Sequence, residues 1–300
     1  MTWKFKMRFI LSAGLLALGL ACASHAQNGT NPQAAPPATN QAPNPAPANG
    51  TQTPPADANK GLPLDSAPAP VNAEEDAAFK AFREAPNSDA PKKISLGEDF
   101  LQKYPTSRYR PGVYSNLTIL YLQTNQVQKM EDVGDKEVQL MPTDVQTMAI
   151  LGQTIPRAMS GAATGPENVK ELAKAEEYSK RAIEVAPTIS KPSNLTDEQF
   201  ASAKNNALAM AHSGLGLVYV RRGKYEDAIP ELDQSVKIDP TPDPVNYYLL
   251  GLANQKASHF DEAVNAFNKC AAIQGGLQVK CKTEAEAVKK QSNTQLSVPK

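Results

Sequence analysis

The stretch "LGLVYVRRGKYEDAIPELDQSVKIDP", Leu215–Pro240, can be laid over "LGLANQKASHFDEAVNAFNKCAAIQG", Leu250–Gly275, at a constant offset of 35 residues. Leu215 and Gly216 fall on Leu250 and Gly251, Tyr225 on Phe260, Ala228 on Ala263, Leu232 on Phe267 and Ser235 on Cys270. A period of that length marks stacked units, each burying its apolar face against the next. Within a copy the apolar residues recur at three-to-four spacing, so the elements are helices. Gly223 permits a left-handed turn that a Cβ would disfavour, and Asp239, standing before Pro240, avoids the helical region. Each unit is therefore a pair of helices. Gly216, Ala228 and Ser235 are small where helices cross, while Tyr225 and Leu232 fill the space between them.

The pattern resembles the tetratricopeptide repeat, a helix-turn-helix unit of about 34 residues. Gly216, Tyr219, Gly223, Tyr225, Ala228, Leu232, Ser235 and Pro240 fill every slot of its usual signature. Weaker copies lie upstream. "LTILYLQTNQVQKMEDVGDKEVQLMP" keeps Tyr121 and Pro142 as far apart as Tyr219 and Pro240, although Met130 and Glu137 stand in slots that prefer small residues. "ISLGEDFLQKYPTSRYRPGVYSNLTILYL" resembles a repeat boundary in exported bacterial proteins of this superfamily, including outer-membrane-assembly lipoproteins. "ELAKAEEYSKRAIEVAP" reads as a second helix whose first helix, near Asp144 to Ala158, lies across the loop "SGAATGPE". "TDEQ", Thr196–Gln199, is a capping box opening a long helix that runs into the clear repeat.

The resulting expectation is an all-α chain, a right-handed solenoid of about five hairpins over residues 73–291. Its clearest repeats are 209–242 and 244–275, and a capping helix follows, opened by a box at Thr283 and Glu286. Residues 292–300 read as a flexible tail. No convincing two-residue alternation bounded by hairpin turns occurs.

The chain begins with Lys4, Lys6 and Arg8 ahead of an apolar run from Phe9 to Cys22, then Ser24-His25-Ala26. That order is a secretory signal over residues 1–26, and the run is shorter than the roughly 20 residues of a membrane span. A membrane anchor remains the alternative. Gly19-Leu20-Ala21-Cys22 resembles a lipobox with Gly in place of the usual Leu, so acylation at Cys22 is a second possible fate, tethering the protein to a membrane. Residues 27–72 follow, with 11 prolines between Gln27 and Pro70 and no aromatic residue. Such a segment buries too little apolar surface to fold and reads as a disordered linker.

Loss of residues 1–26 would leave 28 basic against 31 acidic residues, a net charge of −3, two histidines and two cysteines. A nucleic-acid footprint would be basic, so that partner is not expected. Gly161 and Gly165 lead to Pro166 rather than to the Lys-Ser or Lys-Thr of a phosphate loop. His212 and His259 have no carboxylate or cysteine at ligand spacing. The four N-x-Thr sequons, at Asn28, Asn49, Asn116 and Asn194, are read as chance. No enzyme, cofactor, metal or small-molecule substrate is expected.

The resemblance implies a concave side lined by the first helices, where an extended peptide or a partner helix binds. By register its lining would be Met210, Ser213, Leu217, Val220 and Arg221, then Val245, Tyr248, Leu252, Gln255 and Lys256. Ser213, Leu217 and Leu249 stand where members that bind chaperone tails have clamp residues, which argues against that ligand. The expected function is a non-enzymatic interaction scaffold, periplasmic or secreted; the alternative is a lipid-anchored outer-membrane assembly subunit. Cys270 and Cys281 are separated by the Gly275-Gly276 turn. With no histidine near and a spacing wider than C-x-x-C, export makes a disulfide between the last repeat and its cap the expected pairing.

Overall fold

The computed structural model describes residues 72–160 and 163–296. The expected signal, the expected linker before Asn72 and the expected acylation alternative at Cys22 lie outside the described residues. Eleven helices run in order among those residues: α1 (Ala73–Glu84), α2 (Ala90–Lys103), α3 (Arg110–Gln123), α4 (Val127–Leu140), α5 (Val145–Ala158), α6 (Pro166–Val185), α7 (Asp197–Arg221), α8 (Tyr225–Ile238), α9 (Pro244–Lys256), α10 (Phe260–Ala272) and α11 (Gln278–Leu296). Consecutive pairs form five hairpins, and each hairpin packs on its neighbours in sequence. The stack is the expected solenoid.

Helix starts are written in the local sequence. Asn72, Asp89, Asp144 and Asp243 cap α1, α2, α5 and α9 with side-chain oxygens, and Thr196 with Gln199 forms the reciprocal box at α7. Proline stands in the first turn of α2, α3, α6 and α9, where no N–H is needed. The turns inside hairpins two, four and five repeat one design. Asn125, Gly223 and Ser258 adopt φ of 57°, 72° and 67° at the same register position. Each following N–H reaches back to the carbonyl five residues earlier: Gln126 N to Tyr121 O, Lys224 N to Tyr219 O, His259 N to Asn254 O.

The main core runs from Phe82 through Phe100, Leu117, Tyr121, Met130, Met148 and Leu151 to Leu172, and a second cluster surrounds Leu232 and Leu250. Gly216 packs against Leu232 and Gly251 against Phe267, so the small slot of each first helix faces the large slot of its own second helix. A second recurring contact joins one unit to the next. The small slot of two second helices meets the third residue of the following first helix: Glu137 with Thr147, and Ser235 with Asn246. Asn246 Nδ2 donates to Ser235 Oγ at 3.1 Å.

That register corrects the expected start of the cap. α11 begins at Gln278, so Thr283 lies inside it and donates to Val279 O instead of capping. Cys281 N is bonded to Leu277 O. The helix starts early because Cys281 must face Cys270, and the two form a disulfide with Cα atoms 5.8 Å apart. Cys270 and Cys281 each stand 35 residues after Ser235 and Asn246. The disulfide therefore replaces the inter-unit hydrogen bond, and α11 is the first helix of a sixth unit. Its Cys281, Ala285 and Val288 are buried, while Lys282, Glu286 and Lys289, on the side where a second helix would pack, are exposed.

Candidate functional site

Side-chain contacts trace a continuous face across the first helices from α5 to α11. Arg157, near the end of α5, crosses α7 to reach α9: its Nη2 donates to Ser213 Oγ at 3.1 Å and to Asn246 Oδ1 at 3.2 Å, and its Nη1 pairs with Asp243 Oδ2 at 2.9 Å. Ser213 Oγ donates to Asn246 Oδ1 at 2.6 Å. Arg221, at the end of α7, donates to Met159 O at 3.0 Å, just beyond α5. Gln255 of α9 donates to Gln291 of α11 at 3.2 Å, and Lys280 Nζ of α11 lies 4.6 Å from the Tyr248 ring centroid.

The ten residues expected to line the groove divide on this face. Met210, Val220, Arg221, Val245, Tyr248, Leu252 and Gln255 are half-buried, with part of each side chain at the surface, and Lys256 is exposed. Leu217 retains 8% exposure and belongs to the core around Leu232. Ser213 is 0% exposed: the Arg157–Asn246 network holds it inside the fold, which removes it from the lining. The register reading missed Arg157 and Asn246, which organise this network. Arg157 precedes Arg221 by 64 residues, whereas Pro187 precedes Pro240 by 53. The loop between α5 and α6 breaks the constant offset and hides the equivalence of the two arginines.

Burial lowers the Arg221 pKa from its usual value. Its Nε and that of Arg157 are buried with no hydrogen-bond partner among the described residues. The histidines do meet carboxylates, contrary to the spacing argument, because α8 supplies them: His212 Nδ1 of α7 lies 2.7 Å from Glu231 Oε2 within one hairpin, and His259 Nε2, at the start of α10, lies 3.7 Å from Glu226 Oε1 of the preceding unit. These are contacts that tie neighbouring helices. Among the described residues no three His, Cys, Asp or Glu side chains gather to hold a metal, and no helix is long and apolar enough to cross a membrane.

Elsewhere the surface offers less. A shallow cleft of about 390 Å³ between α2, α3 and α4 is lined by Leu101, Leu117, Tyr121 and Val133, with Glu98 at its edge. Glu98 is already held by Lys129 Nζ at 2.9 Å and by Tyr121 OH, and these bonds keep its pKa below the usual carboxylate range. Between α4 and α6, Lys174 bridges Glu131 and Asp135, each at 2.6 Å, and Tyr178 donates to Asp135 at 2.8 Å. Both arrangements tie helices together.

Comparison with known proteins finds the tetratricopeptide repeat family at residues 209–242 and again at residues 245–275. No curated relative matches the sequence. Among solved structures, a thermophilic tetratricopeptide protein of Thermus thermophilus is 17% identical, with 71% of this chain and 98% of that one covered and a TM-score of 0.43. PilW, a widely conserved type IV pilus biogenesis factor, is 12% identical, with 77% and 97% covered and a TM-score of 0.45. Yeast Tom70 is 14% identical, with 74% of this chain and 44% of Tom70 covered and a TM-score of 0.47.

Proposed function

Starting from a chain that contains tetratricopeptide repeats at residues 209–242 and 245–275, we propose a non-enzymatic interaction scaffold whose first-helix face receives a peptide or a partner helix. The observation that supports it is the run of partly exposed apolar side chains on adjacent first helices, Val220 on α7 and Val245, Tyr248 and Leu252 on α9, with Arg221, Gln255 and Lys256 beside them. Such a strip offers area for an occupant's apolar residues and a few polar handles to fix its register. Capture of partners from a native extract by wild-type protein and by an Arg221→Ala/Tyr248→Ala/Lys256→Ala variant tests the reading. The variant is expected to lose the partners; an unchanged partner set would remove the groove from the account.

The proposed place of work is outside the cytoplasm, periplasmic or secreted. The basic-then-apolar N-terminus supports it, and so does the Cys270–Cys281 disulfide, a bond that persists in oxidising compartments. Mass measurement of the mature N-terminus separates a chain beginning at Gln27 from one acylated at Cys22. The acylated chain would make the protein a membrane-tethered assembly subunit.

A further inference from the structure

Arg157 and Arg221 occupy the same slot of consecutive first helices, yet only one has its counter-charge. Arg157 meets Ser213 of the next unit and Asp243 and Asn246 of the one after. Moved one unit along, those acceptors become Tyr248, Gln278 and Cys281, so the carboxylate is gone. Arg221 is half-buried, bonds to the Met159 carbonyl, and has no carboxylate within ion-pair range among the described residues. A guanidinium withdrawn from water without an anion is costly. Lys256, in the same slot of α9, likewise has no acidic partner within range among the described residues.

The wider charge distribution points the same way. α3, α5 and α9 contain no Asp or Glu, and α7 contains them only in its first turn. Every second helix from α2 to α10 contains at least two. In a chain of formal net charge zero, the first helices from α3 to α9 are thus nearly free of carboxylates, which stand instead on the second helices and on the two end helices α1 and α11. A cation in a helix's last turn suits the helix dipole. The dipole does not account for the lack of acids along whole helices or for the burial of Arg221.

We propose that the occupant of this face is an extended acidic segment of a partner protein, one side-chain carboxylate pairing with Arg221 as Asp243 pairs with Arg157, and a second meeting Lys256. The proposal rests on the groove reading above and adds the chemical class of the partner. Adjacent packed helices lie about 8–10 Å apart, and a segment extended in the polyproline II form advances about 3.1 Å per residue with three residues per turn. The two carboxylates therefore stand about three residues apart on one side of the segment, with its apolar side chains meeting Val220, Tyr248 and Leu252.

Selection from a random 12-residue peptide library, run on wild-type protein and on an Arg221→Gln/Lys256→Gln variant, tests this. Wild type is expected to enrich peptides with Asp or Glu pairs three apart at least fivefold over the library, with binding weakened tenfold or more between 50 and 300 mM salt. The variant should lose that enrichment, and Lys256→Gln alone, at an exposed site, should lower it if the double variant folds poorly. A Lys237→Gln/Lys269→Gln control on the second helices should keep it. Enrichment of neutral or basic peptides that Leu252→Glu abolishes would overturn the acidic occupant and leave the groove standing. No enrichment at all, or enriched peptides indifferent to Leu252→Glu, would overturn both.

Discussion

Glu137, at 1% exposure, fills a slot that is Ala182, Ser235 and Cys270 in the three later hairpins. Burial, then the nearby charge of Asp144, pushes its carboxyl up to about 10, against a smaller opposing effect of Thr147. The folded chain thus holds a proton that the unfolded chain releases at the ordinary carboxylate value. This group's full contribution is present in acid, and it is lost progressively as the pH rises from about 4.5 toward 10, at up to about 1.4 kcal/mol per unit. Glu137→Gln, which keeps the shape and stays neutral, is expected to raise the denaturation midpoint at pH 8 and flatten its dependence on pH. Equal pH slopes for the two proteins, measured by urea unfolding from pH 5 to 9, would contradict the buried neutral carboxyl. At the other end of the conformational scale, Ser258 holds φ 67° where the equivalent residue is Gly223. Ser258→Gly is expected to stabilise the protein by about 0.5–1 kcal/mol, read as a higher thermal midpoint.

At the scale of elements, α5 and α7 meet backbone to backbone. Pro156 has no N–H to offer Gly152 O four residues back, and α7 lies against that carbonyl at Gly214. A Cβ on Gly214 would overlap Gly152 O and come within 2.8 Å of Gln153 N, atoms that cannot rotate away. Gly214→Ala should therefore cost roughly 3 kcal/mol or more. Gly216→Ala meets mainly the Leu232 side chain and should cost less; the reverse order in thermal unfolding would count against this crossing. The cap α11 is fastened covalently at one point. Reducing Cys270–Cys281, or replacing both by Ser, is expected to remove about 3 kcal/mol for a loop of this size. Amide exchange should rise first in α10 and α11; a uniform rise would mean that the disulfide does not hold the cap in particular.

For the whole molecule, the two clear repeats were legible because Gly216, Tyr225, Ala228 and Leu232 are the residues that close packing of paired helices selects. The earlier units were harder to see. Asn125 serves the same turn as Gly223 without being glycine, Glu137 breaks the small-residue rule, and the α5–α6 loop shifts the register by 11 residues. The cap was misplaced because Thr283 and Glu286 fit a local start signal, while an inter-unit contact at Cys281 decides where α11 begins. The partial exposure of Met210, Val220, Tyr248 and Leu252 agrees with their register, but the burial of Ser213 could not be read from it, because that depends on Arg157 arriving from another hairpin. The central claim is that partners bind the first-helix side of the stack. Photo-crosslinking in a native extract, with the probe placed at Leu252 on that side or at exposed Gln234 on α8, tests it directly. Adducts formed from Leu252 and not from Gln234 are the predicted result; adducts from Gln234 alone would contradict it.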